Sequence, residues 1–145
     1  LAIDRSSQSV RWRAEVGAAF PMGVYEGLVL HPGTDGVLRA YDRLTGAEQW
    51  SWDSKTGPAL TEPIVTPAGL IIGAVAGSIH VLNPENGRKR WSWREPVLLE
   101  GVNATPTVVD RQVFVVTNAG MLYSFVSPEK SERDRPTNRL FRGDR

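Results

Sequence analysis

The chain offers few residues suited to chemistry. His31 and His80 are its only two imidazoles, and there is no cysteine. His31 stands beside Pro32, and His80 lies in the alternating run GSIHVL (77–82). Neither has a second histidine at ligand spacing, so no metal site is expected. With no thiol, disulfides, thiolate metal sites and cysteine nucleophiles are excluded. Ser51, Ser92 and Ser124 sit in strand-like runs, without the G-x-S-x-G turn that exposes a serine nucleophile. Glycine-rich phosphate loops are absent. The sequon Asn103-Ala104-Thr105 and the triplet Arg142-Gly143-Asp144 are read as chance matches. No catalytic, cofactor-binding or metal-binding residue is expected.

Aromatic residues and glycines at fixed spacing are what remain, and they demand a scaffold. The segments DGVLRAYDRLTGAEQWSW (35–52) and AGSIHVLNPENGRKRWSW (76–93) align with Gly36 on Gly77, Gly46 on Gly87, Trp50 on Trp91 and Trp52 on Trp93. The N-terminus carries the end of the same unit, with Asp4 and Trp12 spaced as are Asp42 and Trp50, or Asn83 and Trp91. AGMLYSF (119–125) repeats AGSIHVL (76–82), and Pro21, Pro63 and Pro106 form a second column. Two columns in register over three copies establish an array with a period of about 42 residues.

Within each copy, apolar residues alternate with the two-residue period of strands. The second copy reads EPIVT, GLIIG, GSIHVL and RKRWSW, with Gly, Pro and Asn between the runs. Four short strands in an antiparallel meander, repeated every 40–45 residues, describe a β-propeller blade. The expected class is all-β, a partial propeller. The proline opening each first strand fits a strand start. Gly36 and Gly77 supply positive φ in the tight turn before the third strand. Asp42 and Asn83 start the next turn by bonding their own backbone, and Gly46 and Gly87 close it in the left-handed region.

These segments resemble the repeat of the PQQ-like (quinoprotein-type) β-propeller family, roughly G-x-L-x-A-x-D-x-x-T-G-x-x-x-W, over residues 2–126. They lack the paired signatures of a WD40 blade: Trp52-Asp53 is matched by Trp93-Arg94 in the next copy. The resemblance implies that the first tryptophan of each motif, Trp12, Trp50 and Trp91, docks against the neighbouring blade. Each would bury about 200 Å², worth roughly 5 kcal/mol of gross transfer energy.

The expected organisation is the end of a preceding blade (1–15), blades at 16–58 and 59–98, three strands of a further blade (99–126), and a polar, disordered tail (127–145). A closed propeller takes four to eight blades. The chain is therefore expected to be the C-terminal part of something longer and to meet further blades from the same chain or another subunit. Any export signal is expected to be removed or to lie outside the segment.

A net charge of +1, from 17 basic and 16 acidic residues, gives no field for nucleic acid. No apolar run reaches the ~18 residues of a membrane span. Aligned inner-strand starts place Phe20, Glu62 and Thr105 at the channel end, and a lone carboxylate makes no acid–base pair. Within the family the chain most resembles the propeller lipoprotein of the bacterial outer-membrane β-barrel assembly machinery. That resemblance implies a non-catalytic scaffold without cofactor, binding other proteins through propeller loops in the periplasm or at the outer membrane. Two alternatives stay open: a fragment of a PQQ-dependent dehydrogenase, and an extracellular sensor propeller of a receptor or kinase. The loops after the outer strands, SKTGPALTE (54–62) and EPVLLEGVNA (95–104), differ most between copies. Val97, Leu98 and Leu99 are the candidate partner-binding residues, with packing between blades as their alternative role.

Overall fold

The computed structural model describes residues 1–94, 101–110, 112–126 and the pair 142–143. Its described residues form strands joined by turns, with no helix. A two-stranded ribbon comes first, β1 (Ala2–Ile3) with β2 (Val10–Trp12). Three four-stranded antiparallel sheets follow. The first contains β3 (Gly23–Tyr25), β4 (Leu28–Pro32), β5 (Val37–Asp42) and β6 (Glu48–Asp53). The second contains β7 (Ile64–Thr66), β8 (Gly69–Ala74), β9 (Ser78–Leu82) and β10 (Lys89–Arg94). The third contains β11 (Thr107–Val109), β12 (Gln112–Val116), β13 (Leu122–Val126) and β14 (Arg142–Gly143). Each sheet is a meander in which neighbours in sequence are neighbours in space. These are propeller blades, and the chain is a partial propeller.

The turn between the third and fourth strands shows why the copies fold alike. Asp42 N–H donates to Ala47 O and Gly46 N–H to Asp42 O, both at 2.8 Å. Asn83 N–H donates to Arg88 O and Gly87 N–H to Asn83 O at the same distances. The side-chain oxygen of Asp42 accepts from Leu44 and Thr45 N–H, and that of Asn83 from Glu85 N–H. Asp4 repeats the arrangement with Ser6 and Ser7. A short acceptor side chain thus satisfies amides that the tight turn removes from the ladder. Pro21, Pro63 and Pro106 all fall just before the inner strands β3, β7 and β11, where no ladder hydrogen bond needs their missing N–H.

Alternation along the strands builds the cores between blades. Leu70, Ile72, Ala74 and Leu82 of the second sheet join Leu30, Leu38 and Ala40 of the first. Ile71, Ile79 and Val81 turn the other way and join Val113, Val115 and Phe125 of the third, with Val102. Every residue of β8 and β9 is buried, because this sheet has a blade on each side. The core is therefore a series of seams rather than one central mass.

Loops stitch the seams on one side. Ala59 N–H donates to Thr34 O, while Ala59 O accepts from Val75 N–H, so a single residue ties turns of two adjacent blades. Gly17 and Gly101 accept in the same way from Thr34 and Asn118. In the stretch read as a polar tail, Arg142 and Gly143 pair with Val126 and Phe125 of β13 and supply a short outer strand. The rest of 127–145 lies outside the described residues.

Ala59 holds a φ of 67°, in the left-handed region where a Cβ is strained, and both neighbouring copies carry glycine at its place. Ala59→Gly should raise unfolding stability by about 0.5–1 kcal/mol, after allowance for the added freedom of glycine in the unfolded chain. Equilibrium urea titration measures it, and a loss of stability would show that the methyl group packs rather than strains.

Candidate protein-interaction surface

The tryptophan columns define the seams. Trp12 lies across the turn of the first sheet, where a Cβ added to Gly46 would come within 2.6 Å of its ring. Its indole Nε1–H donates to Arg43 O at 3.1 Å. Trp50 lies across the next turn in the same way, 2.5 Å from where a Cβ on Gly87 would stand. Gly46 and Gly87 have φ of 75° and 68°, so these positions need glycine twice over, for backbone and for ring. Trp91 meets Phe125 edge-on at 5.6 Å, and Trp12 meets Tyr41 at 5.9 Å. Gly36 and Gly77, with φ of 79° and 90°, stand just ahead of β5 and β9.

Sequence reasoning missed what the second tryptophan does. Trp52 packs on His80 and Trp93 on Tyr123, each pair at 4.8 Å between ring centres. His80 and Tyr123 occupy equivalent places in successive blades, so this is a second seam column. The signal was present in the Trp-Ser-Trp repeat, but its partner column changes type from Arg39 to His80 to Tyr123. Ala14 takes the place of the second tryptophan in the first copy. There a cleft of about 300 Å³ opens beside Trp12, Ala14, Val29, His31 and Tyr41.

Among the described residues, His80 and Ser78 form the arrangement that could suggest catalysis. His80 Nε2 and Ser78 Oγ lie 2.8 Å apart, as a base and nucleophile would. Yet Ser78 is 2% and His80 4% exposed, and no group orients His80 Nδ1. Burial pushes the imidazole down to about 4, with Lys89 adding to the effect, so it is a weak base at neutral pH. The pair serves the seam. No group of three metal-ligating side chains occurs among the described residues. His31 is also held below its usual value, by burial first and then by Arg39, which pairs with Asp35 at 2.7 Å.

Among the described residues, the surfaces open to binding include the cleft at Ala14, the outer face of the last sheet and the outer strand edges. On the last sheet Val109, Val116, Leu122 and Val126 are exposed. Val97, Leu98 and Leu99 lie outside the described residues.

The family model for "Outer membrane protein assembly factor BamB" matches residues 1–141. The chain belongs to the BamB family. BamB of Pseudomonas aeruginosa is 28% identical over 126 residues, covering 86% of this chain and 32% of that protein. The crystal structure of BamB from Moraxella catarrhalis superposes with a TM-score of 0.70 at 24% identity, covering 82% of this chain and 37% of the other. Quinohemoprotein alcohol dehydrogenase from Comamonas testosteroni superposes with a TM-score of 0.65 at 16% identity, over 77% of this chain and 19% of that enzyme. That likeness is one of fold. The chain spans about a third of the length of the BamB proteins it matches.

Two tests address the seams of this BamB-family segment. Gly87→Ala should cost about 2–4 kcal/mol, since it strains the turn and displaces the Trp50 ring. Combined with Trp50→Ala it should cost over 1 kcal/mol less than the sum of the single changes, and strict additivity in urea titrations would refute the contact. His80, lowered when folded, binds its proton more readily in the unfolded chain. Stability should therefore be full above pH 6.5 and fall as the pH drops toward 4, by roughly 3 kcal/mol from His80. His80→Gln should reduce the fall in urea midpoints across that window, leaving the share of His31 and, at its acid end, of Asp4, Asp35, Asp42 and Asp53, whose carboxyls are also held low.

Proposed function

We propose that this chain is a non-catalytic scaffold of the bacterial cell envelope, working by protein–protein contact in the assembly of outer-membrane proteins from the periplasmic side. The observation that carries this reading is the match of residues 1–141 to the BamB family. The residues agree with it in kind. The aromatic and glycine positions are spent on seams between blades, and the histidine–serine pair is sealed inside one. What each blade leaves outward is backbone edge, loop and charge, which suit recognition of other proteins. The exposed face of the last sheet and the two-stranded ribbon ahead of the first are suited to further strands and blades of the same kind.

The test removes the intact protein from its host and compares folded β-barrel proteins in the outer membrane, by heat-modifiable mobility on gels. Barrel proteins should fall on removal and return when the gene is restored. Purified intact protein should give no dye reduction with alcohols or sugars after incubation with pyrroloquinoline quinone and calcium. Unchanged barrel proteins together with quinone-dependent turnover would replace the scaffold with a dehydrogenase.

A further inference from the structure

The outer strands of the first two blades are equivalent in fold and opposite in charge. Among the described residues β6 and β10 both lie at the edge of their sheets, each paired on one side only, by β5 and β9. Both carry Trp-Ser-Trp, with the tryptophans half-buried and the alternate residues exposed. Around that motif, Ala47, Glu48, Gln49 and Asp53 of the first copy become Arg88, Lys89, Arg90 and Arg94 in the second. Four positions in register change from two negative charges to four positive ones.

All four cations are exposed. None forms an ion pair among the described residues. Arg90 alone is tied down, its guanidinium donating to Ala68 O at 3.2 Å. Trp91 and Trp93 take one face of the strand, leaving Ser92 and Arg94 on the other, while Arg90 stands at the bulge between Lys89 and Trp91. Discouraging edge-to-edge aggregation requires charge of either sign, and Glu48 and Asp53 already meet that need on β6. Protection explains why β10 is charged but not the sign, and four cations with no anion at these positions also fit an acidic neighbour.

We infer that β10 is a docking edge for an extended, acidic segment of a partner protein, which adds as a fifth strand to the second blade. This names the partner chemistry of the scaffold proposed above and rests on that reading. The free backbone edge supplies the ladder, and the cations select the sequence. A strand beside β10 brings one residue opposite Arg94, the next on that face opposite Ser92, and the one beyond it to the bulge, where Lys89 and Arg90 are both exposed. The preferred segment therefore has two acidic residues four apart, a central Ser or Thr, and β-branched residues on its other face, beside the tryptophans. The combination of backbone ladder and alternate-residue spacing favours a peptide over an anionic lipid surface, which has neither.

The experiment uses the intact protein and a labelled peptide with the core Glu-Val-Thr-Val-Glu, read by fluorescence anisotropy. Its Lys-Val-Thr-Val-Lys counterpart, the acidic peptide N-methylated at alternate residues, and phosphatidylglycerol vesicles are run beside it. The acidic peptide should bind, and the lysine and N-methylated peptides should bind at least tenfold more weakly. The variant R88A/K89E/R90Q/R94D, which gives β10 the residues of β6, should also lose at least tenfold. Should that variant fold poorly, amide exchange on the unmodified protein decides: the peptide should slow exchange in β10 and leave β6 unchanged. Equal binding by the N-methylated peptide or by a folded variant would overturn the strand-addition site. So would protection away from β10, or binding of vesicles without the peptide. Failure here leaves the barrel-protein assay untouched, and failure of that assay leaves peptide binding to be read on its own.

Discussion

An indole ring seated on a glycine of the next blade is the contact on which the rest of the architecture depends. A four-stranded blade is too thin to bury its own apolar residues, so each must be covered by a neighbour. Trp12 over Gly46 and Trp50 over Gly87 fix how close the neighbour comes. Any side chain at either glycine would lift the ring and open the seam beneath it. The cluster around Leu30, Ile72 and Leu82 lies in the seam that Trp50 and Gly87 clamp, while the one around Ile71, Val81 and Phe125 is closed by Trp91 and Trp93.

Much of this was legible in the sequence. The columns of Trp, Gly and Pro carry the period, and the local turns follow from Asp42 and Asn83, whose side chains act within their own few residues. What could not be read are interactions whose two halves are set by different rules. Ser78 and His80 are visible as neighbours on one strand face, but their burial depends on Trp52, which arrives from the preceding blade. The bridging of Thr34 and Val75 by Ala59 is made by backbone, so no residue type announces it. Arg142 and Gly143 have the composition of a tail, yet a strand at a sheet edge needs only its backbone, and they pair with β13.

The seams are also unequal. The second and third sheets are joined through two tryptophans, Trp91 and Trp93, resting on Phe125 and Tyr123. The ribbon of β1 and β2 brings one ring to the first sheet, Trp12 against Tyr41, with Ala14 where another ring would stand. Burial of one more ring is worth a few kcal/mol at about 25 cal/mol per Å². The first seam accordingly lacks that contribution, and a cleft of about 300 Å³ stands in place of the ring.

The Trp–Gly contact has a consequence for how such a chain could lengthen. The first two sheets each bring a ring for the successor, Trp50 or Trp91, and a glycine for the predecessor, Gly46 or Gly87, so both halves of the joint travel together within one period. A gene duplication of any window about 41 residues long, wherever its ends fall, yields a copy that already matches the blades on either side. The outer strand stands apart from that joint except through its tryptophans. Substitutions there leave the stacking intact, and the duplicated rim is free to acquire a charge of its own, as β6 and β10 have done.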